Sequence, residues 1–174
     1  MVSIIILMVF LLIAVYTDWR FGKIYNRQIV LGIVFGVGFR YYESGLPGVL
    51  SGLCSFLIPI LLLFPMFRIG TLGGGDIKLL ASAAIFLTPA RTILFMGVAF
   101  LTGAILALLK MIKERNFVER FRYLMSYIHD VITTNQWKLY EETKKQSETE
   151  VRKHKIHFAF PIFVSVLIHM GGLY

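Results

Sequence analysis

The chain has 174 residues, 57% of them hydrophobic and 16% charged, with a mean hydropathy of +0.73, whereas an average soluble domain carries roughly 25% charged residues. This composition excludes an ordinary water-soluble core and matches a bilayer as solvent. The net charge of +8 is attributed to Lys and Arg gathered in cytoplasmic loops, so nucleic-acid binding is not expected. The single cysteine, Cys54, leaves no internal disulfide or Cys-rich zinc site.

The first apolar stretch, Val2 to Tyr16, has no basic residue before it and no small-residue cleavage site after it. It is read as a membrane helix and not as a signal peptide. Further helices are predicted at Gln28 to Tyr42, Gly48 to Phe67, Ile77 to Thr88, Thr92 to Leu109 and Ile156 to Tyr174, each bounded by charge, Gly or Pro. The first, second and fourth are shorter than the roughly 20 residues of a full span. Two glycine pairs, Gly32 with Gly36 and Gly48 with Gly52, have the spacing that lets helix backbones approach closely.

Placing the basic residues along this order puts sixteen of the eighteen on one side, with Arg40 and Arg91 opposite. The positive-inside rule then sets both termini outside and the loops around Asp18 and Asp76 in the cytoplasm. The expected fold is an all-α membrane protein, a six-helix transmembrane bundle. Residues 1–110 form its core and 156–174 its final helix. Between them, residues 111–155 form a cytoplasmic segment. Phe117, Phe121, Leu124, Ile128 and Ile132 stand there at helical spacing among Arg115, Arg120 and Arg122, as in a helix lying on an anionic membrane face. The Glu- and Lys-rich part from Glu141 to Glu150 is read as solvated helix or linker.

Seven of the ten acidic residues fall in that segment, and Glu43 falls on the outer side. Asp18 and Asp76 remain as two carboxylates at the cytoplasmic mouth, where an ionisable group is a functional candidate. Either could instead end or cap a helix. Asp76 follows Gly73, Gly74 and Gly75 at the head of an apolar helix. Such glycines are expected to form a flexible loop that a substrate strand can approach closely. Two carboxylates sharing a site can divide acid and base work in peptide hydrolysis. The helix ends suggest Asp76 as base and Asp18 as acid. Lys78 is read either as screening Asp76 or touching substrate, or as a cation snorkelling at the membrane edge.

The run Gly73-Gly74-Gly75-Asp76-Ile77-Lys78-Leu79 resembles the Gly-x-Gly-Asp motif of the type IV prepilin peptidases. Asp18-Trp19-Arg20-Phe21-Gly22-Lys23-Ile24-Tyr25-Asn26 resembles the family's other aspartate motif, with Tyr25 in place of its Pro. Phe158 to Phe163, with Pro161, resembles the start of the family's final helix. The resemblance implies six helices and cytoplasmic cleavage of basic leaders from pilin-like precursors destined for a pilus or secretion pseudopilus. Asp18 and Asp76 would be the catalytic pair, and Gly73, Gly74, Gly75, Lys78 and Asn26 the substrate-side residues, with no cofactor or metal. Nothing like the family's paired-cysteine methyltransferase domain precedes Val2, so methylation is not expected. The compact form looks more like the peptidases of tight-adherence pili or a stand-alone archaeal-type enzyme.

Four histidines, His129, His154, His157 and His169, form no His-Glu-x-x-His pattern, and His154 with His157 is read as an interfacial pair. No Gly-x-Ser-x-Gly elbow or phosphate-binding Gly-x-x-x-x-Gly-Lys loop is present. Two other readings stand beside the peptidase. A presenilin-like intramembrane protease shares Gly-x-Gly-Asp, but Thr17 precedes Asp18 where that class has Tyr, and its later Pro-Ala-Leu motif is missing. A small transporter or assembly scaffold would use its aspartates for cations or caps, yet no inverted repeat is visible.

Overall fold

The computed structural model describes residues 2–69, 71–113 and 157–172. Among them every regular element is a helix: α1 (Val2–Phe21), α2 (Asn26–Arg68), α3 (Gly74–Ala84), α4 (Pro89–Lys113) and α5 (Ala159–Met170). The predicted amphipathic stripe from Phe117 to Ile132 and the Glu- and Lys-rich stretch lie outside the described residues. Three helices, α1, α2 and α4, are long and apolar enough to cross a membrane. Large apolar side chains are exposed along them, for example Ile5, Val9, Leu12 and Tyr16 on α1 and Leu61, Leu62 and Leu101 on α2 and α4. In water such a surface would drive aggregation; in hydrocarbon it is the solvated face. The chain is therefore a helical membrane protein.

α2 has 43 residues, and a straight helix of that size would run about 64 Å, twice the bilayer core. It does not run straight. Gly45 has φ 62° and ψ −147°, a conformation essentially restricted to glycine, and the two arms fold back on each other there. A methyl placed on Gly36 would lie 2.8 Å from Ile85 Cγ2, and one on Gly52 would lie 3.3 Å from the same atom. These glycines would be about 24 Å apart in an unbroken helix. The two predicted segments, Gln28 to Tyr42 and Gly48 to Phe67, are thus the two arms of one hairpin. The four paired glycines are all buried. Gly32 admits the Phe10 ring from α1, and Gly48 sits against the Arg40 carbonyl.

α3 is only 11 residues, about 16 Å, too short to cross alone. It lies inside the bundle, with Leu79, Leu80, Ala81, Ser82, Ala83 and Ala84 all fully buried. The core cluster around it joins Leu7, Leu11 and Ala14 of α1, Leu63 of α2, Phe95 and Ala99 of α4, and Ile162 and Val166 of α5. Buried hydroxyls fasten helices to neighbouring segments. Ser55 Oγ donates to Leu87 O at 2.8 Å, and Ser165 Oγ donates to Phe95 O at 2.8 Å. Arg40 reaches across to donate from Nε to Ile85 O at 2.9 Å. Beside it, at the far end of the bundle from Asp18, a cavity of about 180 Å³ gathers Arg40, Glu43, Thr88, Arg91 and His169.

Candidate active site

α1 continues past Tyr16, where the apolar run stops, to Phe21, and Gly22 ends it. Gly22 takes φ 62°, and its N–H donates to Asp18 O at 2.8 Å, a left-handed helix stop. Asp18 therefore lies in the last turn of α1. It shares a face with Leu7, Leu11 and Ala14, since spacings of four, three and four residues repeat one side of a helix. That face is the buried one, and Asp18 is only 3% exposed.

The carboxylate is met by the beginning of α5. Asp18 Oδ2 accepts the Ala159 N–H at 3.4 Å, and Asp18 Oδ1 lies 3.4 Å from His157 Nδ1. α5 has no side chain of its own capping its first turn, so a carboxylate from α1 occupies that place. The positive end of α5 thus faces the same group as the negative end of α1, and the two oppose one another.

Asp76 is half-buried in the first turn of α3. The helix starts at Gly74 with Gly73 as its N-cap, so Asp76 is the third helical residue and not the cap. Gly74 and Gly75 are helical, not loop, and none of the three glycines has positive φ. Their small size answers to crowding instead. A methyl on Gly73 would lie 2.9 Å from Asp76 Oδ2, and one on Gly74 would lie 3.1 Å from the Phe67 ring. At Gly75 the nearest atom, on Ile24, is 3.7 Å away, an ordinary contact.

Three links hold these elements at one end of the bundle. Thr17 Oγ1 is 3.1 Å from Gln28 Oε1, which also accepts the Tyr25 N–H at 3.2 Å and so stitches the α1–α2 turn. Ile24, in that turn, rests on Gly75. Lys78 Nζ donates to Asn26 Oδ1 at 3.3 Å, so these two residues, expected on the substrate side, touch each other. Asp18 precedes the same turn on which α3 and Asp76 lean, and the two carboxylates occupy one rim.

His157, read from the sequence as half of an interfacial pair with His154, which lies outside the described residues, stands beside Asp18, and Thr17 and Gln28, left without a role in the sequence, link α1 to α2. His157 stands 139 residues from Asp18, beyond the reach of any local pattern. Its proximity to Phe158 and Pro161, where the final helix was expected to start, was the available signal.

No curated protein and no solved structure matches the chain significantly. The family model of the type IV leader peptidases does, over residues 5–108, a stretch that contains both aspartates and the glycine run before Asp76. With well over half the chain matched, from α1 to the last turns of α4, the protein belongs to the type IV leader peptidase family.

Proposed function

We propose that this peptidase is a membrane aspartyl endopeptidase that removes the leader of pilin-like precursors at the cytoplasmic membrane face, with Asp18 and Asp76 as its catalytic pair. The observation that carries the reading is the presence of two carboxylates at one rim of an apolar bundle, one buried on the core face of α1 and the other in the first turn of α3. In this reading α1, the two α2 arms, α4 and α5 cross the bilayer with the shorter α3 running inside the bundle, and the rim faces the side where the positive-inside count gathers sixteen of eighteen cations.

In the reaction, one carboxylate is ionised and takes a proton from water as its oxygen adds to the scissile carbonyl. The other is protonated and gives its proton to the carbonyl oxygen. The tetrahedral diol then collapses: the C–N bond breaks as the first carboxyl gives the proton it took from water to the leaving amine, and the second carboxylate takes a proton from a diol hydroxyl, so that the pair returns to its starting state with one proton. The low polarity around α3 strengthens each of these interactions relative to water.

The test is co-expression with a pilin-like precursor and a gel shift for loss of the leader. Asp18→Asn and Asp76→Asn are each expected to abolish cleavage while the protein still accumulates in the membrane. Cleavage retained by either variant overturns the aspartyl pair.

A further inference from the structure

We propose that His157 is a positioning residue for Asp18, holding the carboxylate plane together with the Ala159 N–H so that the start of α5 sets the orientation of the acid on α1. This rests on the catalytic reading of Asp18 for its consequence, but not for its geometry.

Two oxygens of one carboxylate meet two nitrogens of one short stretch of chain: Oδ1 is 3.4 Å from His157 Nδ1, and Oδ2 is 3.4 Å from the Ala159 nitrogen. His157 Nδ1 is buried and makes no hydrogen bond, its 3.4 Å approach to Asp18 Oδ1 having ion-pair distance without hydrogen-bond alignment, although the side chain as a whole is 37% exposed. A buried ring nitrogen left unpaired costs free energy, and the Asp18 carboxylate is the acceptor within reach. With the proton on Nδ1, a small turn of the ring would let the imidazole donate to Oδ1 while the rest of the ring stays on the exposed side. The separation is long for a charge-assisted bond, and contacts of this kind tighten when substrate binds. His157 and Ala159 both lie outside the residues 5–108 matched by the family model.

The chemical effect follows from the torsion of the acid. The last torsion of an aspartate is broad and two-fold, so a carboxylate held at one oxygen alone swings. Held at both, it keeps a fixed plane. An ionised carboxylate has about four lone-pair sites, so two remain to accept from water or from the partner acid.

Four substitutions separate this from a merely space-filling role. In Asn the side-chain nitrogen falls where Nδ1 stood; in Gln it falls further out, near Nε2. Phe keeps the volume without a donor, and Ala removes both. His157→Phe and His157→Ala are expected to lower kcat about tenfold to a hundredfold with KM little changed. His157→Asn should recover most of that loss, and His157→Gln should not. A second measurement is independent of cleavage. The infrared carboxylate band of Asp18, isolated by subtracting the Asp18→Asn spectrum, is expected to shift in His157→Phe and return in His157→Asn. If Asp18→Asn still cleaves, the catalytic reading fails while the band still tests the contact. Wild-type kcat in His157→Phe, equal behaviour of Asn and Gln, or an Asp18 band unmoved by His157→Phe overturns the positioning role.

Discussion

Lys78 donates to Asn26 across 3.3 Å and 52 positions of sequence, joining the segment that begins at Asp18 to the segment that contains Asp76. The bond is exposed, so water competes for both partners. Its contribution is therefore expected at about 0.5 to 1 kcal/mol. A double-mutant cycle with Lys78→Ala and Asn26→Ala, read by SDS-induced unfolding in bicelles, should return a coupling of that size. Strict additivity would show that the contact contributes nothing.

Gly73 and Gly75 flank the same motif, but their surroundings differ. A methyl at Gly73 presses on the Asp76 carboxylate, whereas one at Gly75 meets Ile24 at an ordinary distance. Gly73→Ala is expected to displace the acid and cut precursor cleavage about tenfold or more, with Gly75→Ala closer to wild type. Equal losses in kcat/KM would remove the steric explanation for Gly73.

Three glycines of the α2 hairpin should rank by their environment. Gly45→Ala forces a side chain into a glycine conformation and should cost about 1 to 3 kcal/mol. Gly48→Ala should be at least as severe, because its methyl would sit 2.5 Å from the Arg40 carbonyl oxygen, a backbone atom that cannot swing aside. Gly38→Ala meets nothing within 4 Å and should be neutral or stabilising by up to about 1 kcal/mol. Unfolding midpoints in one detergent series decide the order.

Ser55 and Ser165 each bond a carbonyl of another element inside the bundle. Such bonds between membrane helices average about 0.6 kcal/mol and reach about 1.7. Ser55→Ala and Ser165→Ala are expected within that span. A larger loss at either position would mean that the freed carbonyl of Leu87 or Phe95 finds no substitute donor.

The helices were legible because a bilayer demands long apolar runs, and the turn at Gly45 was implied by the gap between two such runs. The end of α1 was not. Asp18, Trp19 and Arg20 look like a loop by polarity, yet the helix continues to Phe21, with the Asp18 carboxylate buried against the start of α5. The stripe Leu7, Leu11, Ala14 and Asp18 could have been found by extending the helical period past Tyr16. The glycines before Asp76 were read by their conformational freedom, but they are used for their lack of volume. That distinction depends on Asp76 and Phe67 folding over them, which no spacing rule records. The contact between His157 and Asp18 arises only when α5 packs antiparallel to α1.

Because the α2 hairpin starts and finishes at the same rim, its two arms are independent of its tip in a mechanical sense. Residues added next to Gly45, the one non-helical residue of the tip, would leave Asn26 under Lys78 and Phe67 over Gly74. Adding one residue between Gly52 and Phe67 would rotate the returning arm by about 100° and swing Phe67 off Gly74. The tip is accordingly the place to graft an epitope or a fluorophore, and the returning arm is the place where a single insertion should silence the protein.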